Sequence, residues 1–408
     1  MTTLVSARRR QLVLIAILGL LHAYVGWRIL PDLPLGLDER LAGVALLTAG
    51  FTAMMLGLEA RRIRSRAWSD RIASVGLFAT GWFSSLCVLA LLRDVLLLPF
   101  ELVIATPDAR LLRAASASTV VALAALATAV GFFNARRRAR IVEVEVPLAE
   151  LPPALHGFSI AQVSDVHVGR TIKRNYVAAI VAAVNELGAD LVAVTGDVVD
   201  GSVDELASHT APLAQLKARY GAFLVTGNHE YYSGEPAWRA EFARLGLRVL
   251  MNEHVVIEHR GARVIVAGVT DFGAHRFDAT QKSDPQGALR GAPSDAAARI
   301  LLAHQPRSAA AAARAGFDLQ LSGHTHGGQF WPWMFFVRFQ QPFTAGLHRL
   351  ERLWVYISRG TGYWGPPKRF GAPSEITLLR LVPRAAGQPA RARGRLLGRP
   401  ATAAEHAV

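Results

Sequence analysis

The 408-residue chain contains a single cysteine, Cys87, which excludes an internal disulfide and any zinc site built on several thiolates. It also lacks internal repeats, so it is not a solenoid or propeller. Net charge is missing where a nucleic-acid site would need it. Of the formal +14, residues 141–383 carry 23 Lys and Arg against 22 Asp and Glu. Residues 1–140 hold 17 Arg against 8 acids, and residues 384–408 hold 5 Arg against 1. The sequence pI near 10.8 therefore reports the two ends of the chain and gives no support to nucleic-acid binding.

What is abundant is apolar sequence, and it is local. The mean hydropathy of +0.26 with 51% apolar residues is high for a wholly soluble chain. Four apolar stretches, residues 11–30, 41–58, 72–92 and 114–133, each reach the roughly 18–21 residues that cross a hydrocarbon core. His22 and Arg28 fall in the later half of the first, and the last three have no charge mid-span. Residues 1–140 therefore read as a transmembrane domain of four helices. The apolar run 95–104, broken by Pro99 and Glu101, reads as a loop or as a re-entrant or interfacial piece.

Arginines orient these spans. Arg8–Arg10, the cluster Arg61, Arg62, Arg64, Arg66 and Arg71, and Arg136–Arg138 with Arg140 all fall on one side. Only Arg28, Arg40, Arg93, Arg110 and Arg113 fall on the other. Positive-inside bias predicts a multi-pass protein of an inner membrane, with both termini and everything after residue 140 cytoplasmic. The competing reading takes Arg9-Arg10-Gln11-Leu12-Val13 as a twin-arginine export signal. No small-residue cleavage site follows it and three more spans do, which favours the first reading. The basic tail 384–408, rich in Ala, Arg, Gly and Pro, has no apolar periodicity and is expected to be disordered. It is either a solvated terminus or a contact for anionic lipid headgroups.

From residue 142 the texture changes to alternating strands and helices. Strands are predicted at 142–146, 159–164, 191–195, 223–226, 249–250, 255–258, 264–269, 300–303, 319–322, 354–358 and 375–381, with a hairpin turn at Arg260-Gly261. Helices are predicted at 176–187, 204–217, 235–245, 294–299 and 307–315. The mixed order suggests an α/β sandwich over residues 141–383, long enough for a core without disulfides.

Five short polar motifs follow these apolar runs: Asp165-Val166-His167, Gly196-Asp197-Val198-Val199-Asp200, Gly227-Asn228-His229-Glu230, His304 alone, and Gly323-His324-Thr325-His326. Strand ends of an open α/β sheet converge on one rim, where ligands bind. Asp and His together suit Mn, Fe or Zn, and there are enough of them for two ions. A bridging carboxylate lets two cations sit about 3.5–4 Å apart and share charge on a phosphoryl group. Alternate residues of an extended segment face one way, which would pair Asp165 with His167 and His324 with His326. A histidine beside a ligand can donate a proton, and a carboxylate such as Asp200 fixes its tautomer. Glu230 reads as a brace for its loop, and His156, His209, His254, His259, His275 and His348 read as ordinary surface or core histidines.

In this order and spacing the motifs resemble the calcineurin-like metallophosphoesterases over roughly residues 155–383. The resemblance implies a four-layer α/β sandwich and a dinuclear centre. It implies Asp165, His167 and His326 on the first metal, Asn228, His304 and His324 on the second, and Asp197 bridging both. His229 would be the catalytic histidine and Asp200 its partner.

Departures narrow the expectation. Phosphoprotein phosphatases of that superfamily follow the second motif with Arg-Gly, but Gly201-Ser202 stands here. The segments Trp364-Gly365-Pro366-Pro367 and Gly371-Ala372-Pro373 resemble a bacterial membrane-associated branch. That branch and the UDP-2,3-diacylglucosamine hydrolases act on phosphodiester or pyrophosphate bonds, in some cases of lipids. Trp331-Pro332-Trp333-Met334-Phe335-Phe336, with Phe339 and Phe343, directly follows the last motif. It reads either as a loop dipping into the membrane interface, in contact with its lipids, or as one packed on the protein itself. Arg170, Lys173, Arg174, Arg307 and Arg369 are candidates for gripping a diphosphate. The expected activity is hydrolysis of a phosphodiester or pyrophosphate in a lipid-linked molecule. The alternatives are a tethered phosphodiesterase for soluble substrates and a non-catalytic, metal-stabilised membrane sensor or scaffold.

Overall fold

The computed structural model describes residues 2–101, 106–384 and 394–396. The chain divides into two compact units, residues 1–133 with 365–370, and residues 134–364 with 371 onward.

The first unit is helical: α1 (Thr2–Ile29), α2 (Leu37–Glu59), α3 (Arg66–Glu101) and α4 (Thr106–Arg136). Four segments are long and apolar enough to cross a membrane, Gln11–Ile29, Leu37–Arg62, Arg66–Leu97 and Asp108–Arg136, one in each expected place. The run at 95–104 begins as a continuation of α3, which passes through Pro99 to Glu101, and residues 102–105 lie outside the described ones. Small residues bring helices together without side-chain interference. At the α2–α3 crossing a Cβ on Gly76 would stand 2.5 Å from the Ala53 carbonyl oxygen and 2.7 Å from Gly57 Cα.

The few charges buried here are paired. Arg93 donates to Asp32, to Ser116 Oγ at 2.8 Å and to the Arg28 carbonyl at 3.0 Å. Asp94 accepts from Arg28 at 2.7 Å and from the Tyr24 hydroxyl at 2.6 Å. The later segment 365–370 belongs to this unit through Lys368, whose ammonium donates to the Gly81 carbonyl at 2.9 Å, to Thr128 Oγ1 at 3.0 Å and to Ser85 Oγ. Arg369 beside it is 1% exposed, and its N–H donates to the Gly131 carbonyl at 2.8 Å.

The second unit holds β1 (Arg140–Leu148), β2 (Ser159–Val163), α5 (Arg174–Glu186), β3 (Leu191–Val194), α6 (Val203–Thr210), β4 (Ala222–Leu224), α7 (Asn228–Ser233), α8 (Glu235–Arg244), β5 (Arg248–Val249), β6 (Glu253–His259), β7 (Ala262–Gly268), α9 (Pro285–Ala288), β8 (Ala298–Leu302), α10 (Ala309–Ala315), β9 (Leu319–Ser322), β10 (Gly346–Leu350), β11 (Leu353–Ile357), β12 (Glu375–Pro383) and β13 (Gly394–Leu396). One sheet has the order β13-β1-β12-β2-β3-β4-β5, the other β10-β11-β9-β8-β7-β6. In the first, β2, β3, β4 and β5 run parallel; in the second, β7, β8, β9 and β11 do.

Alternation along each strand builds the layers. In β3, Leu191 and Ala193 join the core between the sheets, while Val192 and Val194 join the core beneath α5, α6 and α8. In β8, Ile300 and Leu302 face the inter-sheet core, while Leu301 packs with Ala309 and Ala312 of α10. Both faces of these central strands are covered, which is why they read as unbroken apolar runs. Helix, sheet, sheet, helix is the four-layer sandwich expected.

Three local expectations are corrected. The helix expected over 294–299 does not form: residues 294–297 run through a turn and a bend, and 298–299 open β8, where Ala298 is fully buried in the inter-sheet core. The helix expected to reach residue 217 stops at Thr210, with Pro212 in a following 3₁₀ turn, where proline removes an N–H donor. Strand β10, not anticipated from the sequence, pairs antiparallel with β11. Of the basic tail, the Arg384 N–H donates to the Leu148 carbonyl at 3.0 Å and Gly394–Leu396 pairs with β1; residues 385–393 and 397–408 lie outside the described ones.

Candidate metal centre

The loops after β2, β3, β4, β8 and β9 bring the five motifs to one rim, where three clusters of ligand atoms lie within 4.8 Å: Asp165, His167 and His326; Asp197, His304 and His324; and His167, Asp197 and His229. The expected pairing through extended segments is wrong. Asp165, His167, His324 and His326 have φ of 53°, 55°, 70° and 51°, and Asp197 has 52°. These are left-handed conformations that cost a residue with a side chain about 1–2 kcal/mol each and persist only where the surroundings enforce them. Backbone bonds do so here. The N–H of Asp165 donates to Gly196 at 3.0 Å, that of His167 to the Asp197 carbonyl at 3.1 Å, and that of Gly362 to the Asp165 carbonyl at 3.0 Å. The twist at residues i and i+2, with no extended chain between them, turns both side chains inward.

In the first cluster, His167 Nε2 lies 3.0 Å from His326 Nε2, which is 3.5 Å from Asp165 Oδ1. The Asp165 carboxylate also accepts the His324 N–H at 2.9 Å, tying first motif to last. In the second cluster, His304 Nε2 lies 3.1 Å from Asp197 Oδ2 and 3.2 Å from His324 Nδ1. His304 Nδ1 is 2.8 Å from the Thr195 carbonyl. A carbonyl only accepts, so Nδ1 carries the proton and the Nε2 lone pair is available to a cation. Asp197 stands between the clusters, its Oδ2 also 3.9 Å from His167 Nε2 and 4.0 Å from His229 Nε2. Its Oδ1 accepts the His229 N–H at 2.9 Å. There is room for this only because residue 227 is glycine: a Cβ there would stand 2.1 Å from that oxygen.

Whether this set fits divalent cations can be judged from Asn228. Its Oδ1 is buried and has no hydrogen-bond partner. An orphaned buried acceptor costs about 1–3 kcal/mol, and the next residue, His229, is bonded through its N–H to Asp197, a carboxylate of the kind that holds Mn, Fe or Zn. The donor set fits.

Asp200 serves two imidazoles. Its Oδ1 lies 2.5 Å from His229 Nδ1 and 3.1 Å from His167 Nδ1. Burial raises the Asp200 carboxyl, but both imidazoles outweigh it and hold the group well below the usual carboxylate range. Burial lowers His167, yet Asp200 and then Asp197 push it up to about 9. Burial likewise lowers His304, but Asp197 outweighs it and holds the imidazole well above its ordinary value. For His324 the balance is reversed: burial and then the charge of His304 outweigh Asp197 and press it down to about 3. Glu230 supplies the brace expected of it. It accepts the N–H groups of Asp197, Val198, Val199 and Gly227 at 2.9, 2.7, 3.3 and 2.7 Å. Burial, then Asp197, pushes its carboxyl up to about 7.

Two of the arginines proposed for a diphosphate are engaged with main-chain carbonyls. Arg174 donates to the Ser208 carbonyl at 2.9 Å and Arg307 to that of Gln340 at 3.0 Å. Arg170 is half-buried beyond His167, Lys173 caps α5, and Arg369 lies in the segment that belongs to the helical unit. Sequence reading missed Gln162, which donates to Thr195 Oγ1 and to the Ser322 carbonyl, both at 2.9 Å, and so pins the rim of one sheet to the other. A lone polar residue inside the apolar run 159–164 was the available signal.

Comparison with known proteins fits this geometry. Residues 158–328 match the family described as calcineurin-like phosphoesterase. The Transmembrane protein with metallophosphoesterase domain of Danio rerio is 37% identical over 64% of this chain and 62% of its own length. Its namesake in Bos taurus is 40% identical over 62% of this chain and 59% of its own length. A metallophosphoesterase of Helicobacter pylori is 38% identical over 62% of this chain and 67% of its own length. The chain thus spans about three-fifths of the two vertebrate relatives.

Proposed function

The chain belongs to the calcineurin-like metallophosphoesterases, and on that premise we propose that its α/β unit hydrolyses a phosphodiester or pyrophosphate bond with two divalent cations. Asp165, His167 and His326 would hold one, and Asp197, His304 and His324 with Asn228 the other. The observation that carries the reading is the place of Asp197 Oδ2, within 3.1–4.0 Å of ring nitrogens from three different motifs, beside the unpartnered Oδ1 of Asn228. Mn, Fe or Zn, when bound, supplies Lewis acidity that lowers the cost of charge on the phosphoryl oxygens. His229 does the proton work: Asp200 holds its Nδ1, which leaves Nε2 to deliver a proton to the departing oxygen. A purely structural metal site would not need that pair, which disfavours the scaffold reading.

The substrate we favour is lipid-linked, a UDP-diacylglucosamine-like molecule cleaved at an inner membrane by a cytoplasmic domain. Support comes from the four apolar helices and from the segment after the last motif, where Trp333, Phe335, Phe336 and Phe339 are exposed. Exposed aromatics of this kind suit a membrane interface.

Purified full-length protein with Mn²⁺ should cleave bis-(p-nitrophenyl) phosphate, and Asp197→Asn should abolish the activity. Full activity in that variant refutes the site. A phosphorylated lipid that accumulates in Asp197→Asn cells supports the lipid reading, whereas faster turnover of a water-soluble diester than of a lipid pyrophosphate favours a tethered soluble-substrate enzyme.

A further inference from the structure

We infer that Tyr232 and Trp364 form the leaving-group subsite of this centre, and that it takes a flat, ring-bearing leaving group, an aryl alcohol or a nucleotide. The inference rests on the reading of His229 as proton donor. In the reaction an oxygen–phosphorus bond forms from water, which gives up one proton to solvent; the phosphorus–oxygen bond to the leaving group breaks, and the Nε2 proton passes to the departing oxygen, His229 being reprotonated from solvent afterwards. Whatever flanks His229 therefore flanks the leaving group.

Two rings do. The centroid of Tyr232 lies 5.3 Å and that of Trp364 5.7 Å from the His229 ring, at interplanar angles of 71° and 74°. Phe277 extends the surface, 5.6 Å from Tyr232. If these rings only held His229 in place, burial would be expected of them, and Asp200 already fixes that imidazole. Instead Tyr232 is 61% exposed, Trp364 54% and Phe277 54%. Large apolar rings left open beside a reacting group mark a ligand surface.

The surface is also built to hold its shape. The Gln329 carboxamide clips the Trp364 backbone on both sides, donating to its carbonyl and accepting its N–H, each at 2.9 Å. Gln329 is 7% exposed, has a left-handed φ of 56°, and lies three residues past His326. Tyr232 sits in α7, four residues past Asn228. Both rings are thus tied to loops that carry candidate ligands.

The test compares full-length wild type, Trp364→Ala, Tyr232→Ala and Trp364→Phe, each loaded with Mn²⁺. The substrates are a phenyl phosphodiester, a trifluoroethyl phosphodiester and a nucleoside diphosphate sugar; phenoxide is the better leaving group of the two esters, so the change in their ratio between variants is what is read. Either alanine variant should lower the ratio of kcat/KM for the phenyl ester to that for the trifluoroethyl ester about tenfold, mainly through KM, and Trp364→Phe should restore most of it. A fall shared by the nucleotide identifies a base as the ring received; one confined to the phenyl ester identifies a small aryl group. An unchanged ratio, or an equal loss of kcat on both esters, overturns the subsite and leaves the rings as supports of His229. Wild type inactive on every substrate overturns the hydrolase reading itself.

Discussion

Asp200 Oδ1 lies 2.5 Å from His229 Nδ1, and the same carboxylate reaches Nδ1 of His167 at 3.1 Å. One side chain thus orients the proposed proton donor and a candidate ligand together. Asp200→Asn should therefore have two effects: kcat should fall by about 10²–10⁴, and metal affinity by about 10–100-fold. His229→Ala should lower kcat and leave metal affinity within a few-fold of wild type. Steady-state kinetics and metal titration on both variants separate the roles; an Asp200→Asn protein with wild-type affinity would remove His167 from its charge.

Metal binding should strengthen with pH. In the metal-free protein His167 is raised from 6.5 to about 9, so its protonated form favours the fold fully below pH 6.5, and that stabilisation is lost as pH rises through 9. A cation must displace the same proton. Apparent Mn²⁺ affinity should rise by up to about tenfold per pH unit between 6.5 and 9 and then level off. The metal-free melting temperature should fall over that range. Calorimetry in buffers of different ionisation enthalpy counts the proton; a pH-independent affinity would contradict the assignment.

Glu230 accepts four backbone N–H groups at the junction of the second and third motifs. Glu230→Gln replaces one acceptor oxygen by an NH₂ that opposes those donors. The loss should be about 1.5–3 kcal/mol of stability, together with weaker metal binding. Chemical denaturation and metal titration would register both, and a neutral outcome would show that the loop holds without this brace.

Gly227 is tested by a single methyl. In Gly227→Ala the new Cβ would meet Asp197 Oδ1 at 2.1 Å, so the carboxylate must leave its place. Activity should be lost, with about 1–3 kcal/mol of destabilisation from overpacking. Retained turnover with normal melting would mean Asp197 need not occupy the position seen here.

Along the helices, Gly76→Leu should lower the melting temperature of the detergent-solubilised chain, because its Cβ has only 2.5 Å to the Ala53 carbonyl oxygen. Metal affinity per folded molecule should stay as in wild type. An unchanged melting temperature would mean that α2 and α3 can separate at this crossing at little cost.

The sequence by itself determined which residues are candidates for the chemistry and which segments are apolar. Aspartate, asparagine and histidine after buried runs declare themselves because few other roles place them there, and hydrocarbon-length runs follow from solvation alone. The α/β alternation was legible for the same reason: burial on both faces leaves Leu-Val-Ala-Val in β3 and Ile-Leu-Leu in β8. Only the tertiary structure decided how the motifs meet. The left-handed twist at Asp165, His167, Asp197, His324 and His326 contradicts local preference, and only bonds from distant loops sustain it. The sharing of Asp200 between His167 and His229, and the clip from Gln329 to Trp364, span 29 to 35 residues of sequence. No local pattern encodes such a distance, because it is set by which strands lie side by side: β2, β3 and β4 in one sheet, β9 and β11 in the other.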